Sequence, residues 1–361
     1  MKLVYESFGS WKFQDNSRAH LILRNMKKFD DITVIDGPAD ITKPTKKFVK
    51  YIIEDSLPYK FLLKSYTESN GIKVKNRPLI FQKHGLPWTA INSFVTKKRV
   101  LRENPDVYVI NHPLNNSWLL NTKTDFTTVF DVRDWIPGYY YRTERDKVSK
   151  LFIKMLKSVD KVITVSKPLV EWIEKESGVT ANLIHTPVNL DNFKNARPLV
   201  KSSRPIVGAI GCTYKEWFRV DILDEITNLM KDFTFLYVGP SDYNFKPRDN
   251  VIMTGRVPFK DVKNYIASMD ICLMPFKTYD FYTSCACPVK FFEYAALGKP
   301  MVSTNLPGIL DVTKEVFIAN TSEEFVTAIR KAVKRGTKPY PWIKNYDCKV
   351  IVKKYEDFLL N

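Results

Sequence analysis

Lys290 and Glu293 stand three residues apart in the segment SCACPVKFFEYAALGKPMVST, residues 284–304. Three apart on a helix is one face, so an ammonium and a carboxylate point the same way. The segment reads as a loop through Cys285, Ala286, Cys287 and Pro288, then a helix ending at Gly298, then a short buried strand. Proline suits a helix start and glycine the residue just past its end. Phe291, Phe292, Ala295 and Ala296 supply the packing face. A loop feeding a helix N-terminus, with the amides of Ser284 to Cys287 beside the lysine, is a seat for a phosphorylated ligand. The same residues also read as an ordinary amphipathic helix with a surface lysine and glutamate.

The elements that would position such a site alternate strand and helix along most of the chain. Strands are expected at 2–6, 32–36, 106–112, 126–131 and 159–166, then at 206–211, 233–239, 251–255 and 271–276, with helices between. That rhythm predicts parallel sheets with ligands at the carboxyl ends of the strands. Residues 194–205 (KNARPLVKSSRP) have two prolines and no apolar periodicity, as an interdomain linker should. Residues 41–100 are the least regular part. There the basic side chains are interleaved with Tyr51, Tyr59, Phe61, Tyr66, Phe81, Trp88 and Phe94.

The chain of 361 residues is long enough for two cores, and 44% hydrophobic with 26% charged residues is ordinary for a globular protein. Its net charge of +17 is not. Residues 41–100 contain 13 basic and 3 acidic side chains, which points to an anionic partner: membrane phospholipid, a lipid diphosphate or nucleic acid. Solvated surface charge is the plainer alternative. No apolar run approaches the ~20 residues that span a bilayer, and no leader is recognised, so a cytoplasmic protein resting at most on the inner membrane face is expected. Cys212, Cys272, Cys285, Cys287 and Cys348 read as reduced thiols, and with four histidines no structural zinc site is expected. Hydrolase and dehydrogenase signatures are missing: there is no Gly-x-Ser-x-Gly, Walker A, His-Glu-x-x-His or glycine-rich dinucleotide fingerprint.

Three segments together resemble the GT-B glycosyltransferases, especially the family 4-like enzymes. The first is Pro288, Lys290, Glu293, Tyr294, Ala296, Gly298, Lys299, Pro300 and Val302. The second is the strand Val159-Asp160-Lys161-Val162-Ile163-Thr164-Val165-Ser166. The third is Pro187-Val188-Asn189-Leu190-Asp191-Asn192-Phe193, in which Val188-Asn189-Leu190 replaces the usual glycine-containing version. The resemblance implies two Rossmann-like doubly wound domains facing across a cleft. An acceptor-binding domain would run over 1–193, a linker over 194–205, a donor-binding domain over 206–345, and a C-terminal helix, 346–361, would pack back on the first.

It also implies transfer of a sugar from a nucleotide diphosphate sugar, UDP being the favoured nucleotide, without a metal, since no Asp-x-Asp cluster is found. Lys290 would neutralise the diphosphate with help from the Ser284 and Cys285 amides, and Glu293 would contact the ribose. Lys215 and Arg219 would sit where related enzymes place phosphate-binding cations, and Arg256 and Val257 where the backbone reads the base. Asp15, in the loop after the first strand, is the expected general base, with His84, His112, Asp131 and Asp134 competing. One departure bears on stereochemistry: many retaining members have a second glutamate eight positions before the ribose glutamate, and Cys285 stands there. The acceptor implied is a lipid-linked or cell-envelope saccharide. The alternatives are a modified base in DNA, as for phage glycosyltransferases of this fold, or a non-catalytic nucleic-acid or membrane-binding protein on the same scaffold.

Overall fold

The computed structural model describes residues 1–7, 11, 17–40, 65–79, 86–140, 142–243, 245–246 and 248–361. They form two compact units: residues 1–165, 169–184 and 352–361 make the first, and residues 166–168 and 185–351 the second.

In the first unit the chain runs β1 (Lys2–Glu6), α1 (Arg18–Leu23), β2 (Asp31–Asp40), β3 (Tyr66–Thr67), β4 (Lys73–Leu79), α2 (Leu86–Glu103), β5 (Val107–Ile110), a 3-10 helix (Leu114–Asn121), β6 (Thr127–Val132), α3 (Arg142–Leu156), β7 (Lys161–Thr164), α4 (Lys167–Ser177) and β8 (Asn182–Leu183). The strands pair in the order β3-β4-β2-β1-β5-β6-β7-β8, all parallel except β3 against β4. Central strands of a sheet covered on both faces are apolar throughout, and the side chains of β5 are all buried. Tyr108, Phe130, Phe152, Met155 and Ile173 fill the core on one side of the sheet.

Order within 41–100 exceeds what its sequence announces. Residues 65–79 form two paired strands and Leu86–Glu103 an 18-residue helix. The reason lies in α2 itself: beside Val100 its buried face holds Asn92, Ser93 and Thr96, so the usual apolar signal of a packed helix is weak.

The second unit runs β9 (Ile206–Ile210), α5 (Val220–Leu229), β10 (Thr234–Val238), β11 (Val251–Gly255), α6 (Phe259–Ser268), β12 (Ile271–Met274), α7 (Phe281–Ser284), α8 (Val289–Ala296), β13 (Met301–Ser303), α9 (Pro307–Leu310), β14 (Phe317–Ile318) and α10 (Ser322–Arg335). Its parallel sheet has the order β11-β10-β9-β12-β13-β14. This is the doubly wound order in which the strand sequence reverses between the first and fourth strands, here β9 and β12, and ligands bind beyond the carboxyl ends at that reversal. Residues 194–205 lie along α6: the Arg197 amide donates to Asn264 Oδ1, and the Leu199 and Val200 amides to Ser268 Oγ. A last helix, α11 (Cys348–Leu360), spans both sets of residues, with 352–360 belonging to the first unit.

Candidate active site

In the second unit the strand reversal is marked by glycines. Gly211, Gly239 and Gly255 follow or end β9, β10 and β11, with φ of +91°, +127° and +65°. Each is in the left-handed region that favours a residue without a Cβ. At Gly239 a Cβ would come 2.3 Å from the Gly211 carbonyl oxygen, so the two chain reversals nest with no room for a side chain. The Gly211 amide donates to Val238 O and the Gly239 amide to Gly255 O, tying the three strand ends into one rim.

Helix α8 reaches into this rim. Its apolar side, Phe291, Phe292 and Ala295, is buried, with Phe291 stacked on Trp342 at 5.5 Å. The helix stops at Gly298, φ +64°, where a Cβ would meet Lys338 O at 2.7 Å. Four residues apart, and hence on one face, Lys290 and Tyr294 both hold the end of β9. The Lys290 ammonium donates to the Ile210 carbonyl, and the Tyr294 hydroxyl accepts the Ile210 amide at 2.9 Å.

Lys290 Nζ also lies 4.5 Å from the centre of the Phe218 ring and 5.6 Å from that of Phe276. An ammonium over aromatic faces is held by the ring quadrupole. Burial nevertheless lowers the lysine pKa to about 8, against the opposing pull of Cys212 and Glu293. A half-buried cation at the carboxyl end of β9 is suited to a polyanionic ligand. Glu293, on the same helix, is 5% exposed.

The remaining expected residues are distributed around this centre. The Ser284 and Cys285 amides, with that of Ala286, donate to Asp280 O, Phe281 O and Thr283 O, so they close the α7 turn. Ser284 Oγ donates to Phe281 O. The buried Cys285 has its thiol on Tyr282 O and its carbonyl accepting from the Ser166 hydroxyl at 2.6 Å. Arg219 forms a two-pronged ion pair with Asp221 and donates its amide to Pro275 O, which joins the loops after β9 and β12. Lys215 is exposed, its amide on Asp242 Oδ1 and its ammonium 5.4 Å from the Tyr243 ring centre. Arg256 and Val257 directly follow β11 and lead into α6, Arg256 exposed and Val257 half-buried.

Phe218, Phe276 and Gly239 belong to this centre and were not singled out from the sequence. The glycines had a local signal, each ending an apolar strand run. The two phenylalanines had none, since only the fold brings residues 218 and 276 to residue 290.

In the first unit the sheet order reverses between β1 and β5, and polar groups converge there too. Glu6, fully buried at the end of β1, accepts the amides of Asn111 and His112 and the side-chain amides of Asn115 and Asn116. His112 Nε2 lies 3.2 Å from the Tyr140 hydroxyl. After β6, burial pushes the Asp134 carboxyl above its usual range, opposed by Arg133 and by the Tyr139 hydroxyl it accepts at 2.9 Å. Asp131 is wholly buried, paired with Arg18 and bonded to the Tyr355 hydroxyl, which makes it a core anchor rather than a base. Asp15 and His84 lie outside the described residues.

The family described as Glycosyl transferases group 1 matches residues 204–335. TuaH of Bacillus subtilis (strain 168), a glycosyltransferase assigned to teichuronic acid biosynthesis, is 31% identical over 197 residues; the match spans 51% of this chain and 48% of TuaH, about half of each. Among solved structures, sucrose-phosphate synthase from Thermosynechococcus elongatus superimposes with a TM-score of 0.73 at 11% identity, covering 99% of this chain and 98% of the other. HepE of Anabaena, solved in complex with UDP and glucose, gives 0.66 at 13% identity with both chains fully covered. Residues 204–335 thus resemble the group 1 glycosyltransferases, and the two sheets have the GT-B fold of these solved structures.

Proposed function

We propose that the chain transfers a glycosyl group from a nucleotide diphosphate sugar, with UDP as the nucleotide, to a hydroxyl of a cell-envelope saccharide. The observation that carries this reading is the Lys290 ammonium at the strand reversal of the group 1 segment, held between two rings and the end of β9. In the reaction the bond from the sugar C1 to the diphosphate oxygen breaks, a bond from C1 to the acceptor oxygen forms, and the hydroxyl proton leaves. Lys290 neutralises the charge that builds on the departing diphosphate. Glu293 holds the ribose, Arg256 and Val257 line the base, and Lys215 and Arg219 add positive potential. Arg219 contributes least, because Asp221 already offsets its charge. Asp15 takes the acceptor proton.

Two likenesses support the substrates: HepE has been solved with UDP-glucose, and TuaH is assigned to a cell-envelope polymer. No observation favours the DNA alternative. A thermal-shift series with nucleotides and nucleotide sugars tests the donor, because a ligand that binds only the native state raises its melting temperature. UDP and at least one UDP-sugar should raise it in the wild type and not in Lys290→Ala. A wild type that responds to no nucleotide sugar overturns the reading.

A further inference from the structure

Helix α2 has large apolar side chains on its outer face. Apart from Val100, which joins the hydrophobic core, its buried face is polar: Asn92, Ser93, Thr96 and Glu103 are all under a tenth exposed. Ser93 Oγ accepts the Trp118 amide at 2.8 Å, Thr96 Oγ1 donates to Asn92 O, and Glu103 is held by Lys2 and Lys75. Three large apolar side chains stand on its outer face. Ile91, Phe94 and Leu101 are 40%, 55% and 47% exposed, and at spacings of three and seven they form one stripe along the helix. Beside them are Lys98, whose ammonium lies 4.6 Å from the Phe94 ring centre, and the exposed Arg102. From Leu86 to Arg102 the helix contains four basic residues and no acidic one.

A packed surface helix normally turns its apolar stripe inward. Single exposed apolar residues need no account, but a row of them flanked by cations does. We propose that the outer face of α2 docks on an anionic phospholipid surface. The stripe from Ile91 to Leu101 is about 15 Å long, at 1.5 Å per residue. It enters the boundary between headgroups and acyl chains, while Lys98 and Arg102 stay at the phosphate level on their aliphatic stems. The choice of occupant rests on charge. A second copy of a chain with net charge +17 would bring like charge to this face, and residues 41–100 are the most basic part of the sequence. A nucleic acid would use the cations and leave Ile91, Phe94 and Leu101 in water. The surface is separate from the donor centre, so it stands or falls without the transfer reading.

The test is co-sedimentation of the full chain with vesicles of phosphatidylcholine alone and of phosphatidylcholine with phosphatidylglycerol. The variants are Phe94→Ser/Leu101→Ser, Lys98→Gln/Arg102→Gln and, as a milder apolar change, Ile91→Asn. Circular dichroism melts report that each variant is folded. The wild type should bind the phosphatidylglycerol vesicles and not the neutral ones. Each double variant should bind roughly tenfold more weakly or worse, with its melt unchanged. Absence of binding to anionic vesicles overturns the proposal. So does binding that the apolar variants leave intact, a dimer in sedimentation velocity that Phe94→Ser/Leu101→Ser splits, or tight duplex-DNA binding indifferent to the apolar substitutions.

Discussion

The charge on Lys290 is maintained in surroundings that disfavour it, and in the proposed role that makes donor binding sensitive to pH. Burial brings its pKa down to about 8, from an ordinary lysine value of 10.5. A diphosphate binds the ammonium and not the free amine, so binding and protonation reinforce each other. Below pH 8 the lysine is charged before the ligand arrives and affinity does not depend on it. Above pH 8 the free protein must first take up a proton, and UDP affinity should fall roughly tenfold per pH unit until the pKa of the bound state is reached. Calorimetric titration of UDP between about pH 7 and pH 9 measures this. In Lys290→Met the affinity should be lower throughout and flat over that window. Equal pH dependence in wild type and Lys290→Met would show that another group titrates.

At the scale of elements, the proposed donor centre is a set of chain reversals in which glycine is required to different degrees. Gly239 is needed twice over, for φ of +127° and for the 2.3 Å approach of the Gly211 carbonyl. Gly255 is needed for its φ of +65° alone, since nothing lies within 4 Å of a Cβ there. Gly255→Ala should therefore lower stability by about 1 kcal/mol, the ordinary strain of a left-handed residue. Gly239→Ala should lower it by ~3 kcal/mol or more, because the rim must also move. Its UDP affinity should fall as well, since the same rim positions Ile210 and hence Lys290. Chemical denaturation of both variants gives the comparison, and equal losses would mean that the contact with Gly211 relaxes freely.

These elements were unequally legible. Most strands of both sheets, β3, β4, β8 and β14 excepted, follow from apolar runs bounded by polar turns, and the Pro288-to-Gly298 helix from its start and stop residues. The Lys290–Glu293 face follows from helical spacing. The ring pair around Lys290 does not, because Phe218 and Phe276 are interchangeable in sequence with any core phenylalanine. Nor does the order within 65–103: α2 hides its polar side, and a pattern sought as an apolar inner stripe finds its strongest residues outside. The amides of Ser284 and Cys285 fall in the same class. A loop before a helix offers amides on paper, and only the turn geometry shows that α7 uses them.

For the whole molecule, the informative feature is that the first unit is closed by the far end of the chain. Residues 352–361 belong to it although residues 185–351 intervene. Several attachments hold them, the Lys28–Asp357 ion pair among them. The Tyr355 hydroxyl donates to Asp131, whose partner Arg18 stacks at 5.6 Å on the Tyr355 ring. The Glu356 carboxylate accepts the amides of Lys27 and Lys28. Lys161 donates to the Phe358 and Leu359 carbonyls, capping the end of α11. Removing these residues would leave the fully buried Asp131 and Arg18 without the phenol beside them. A buried group that loses its hydrogen-bond partner costs about 1–3 kcal/mol, before any loss of apolar packing by Tyr355 and Leu359. A chain ended at Ile351 should therefore show the first unit melting several degrees lower in scanning calorimetry, a kilocalorie being roughly 2–4 °C for a domain of this size. The second unit keeps all its own residues in that truncation. Its transition, identified as the one that UDP raises, should hardly move. If both transitions fall together, the terminal residues stabilise the protein as a whole and not the first unit alone.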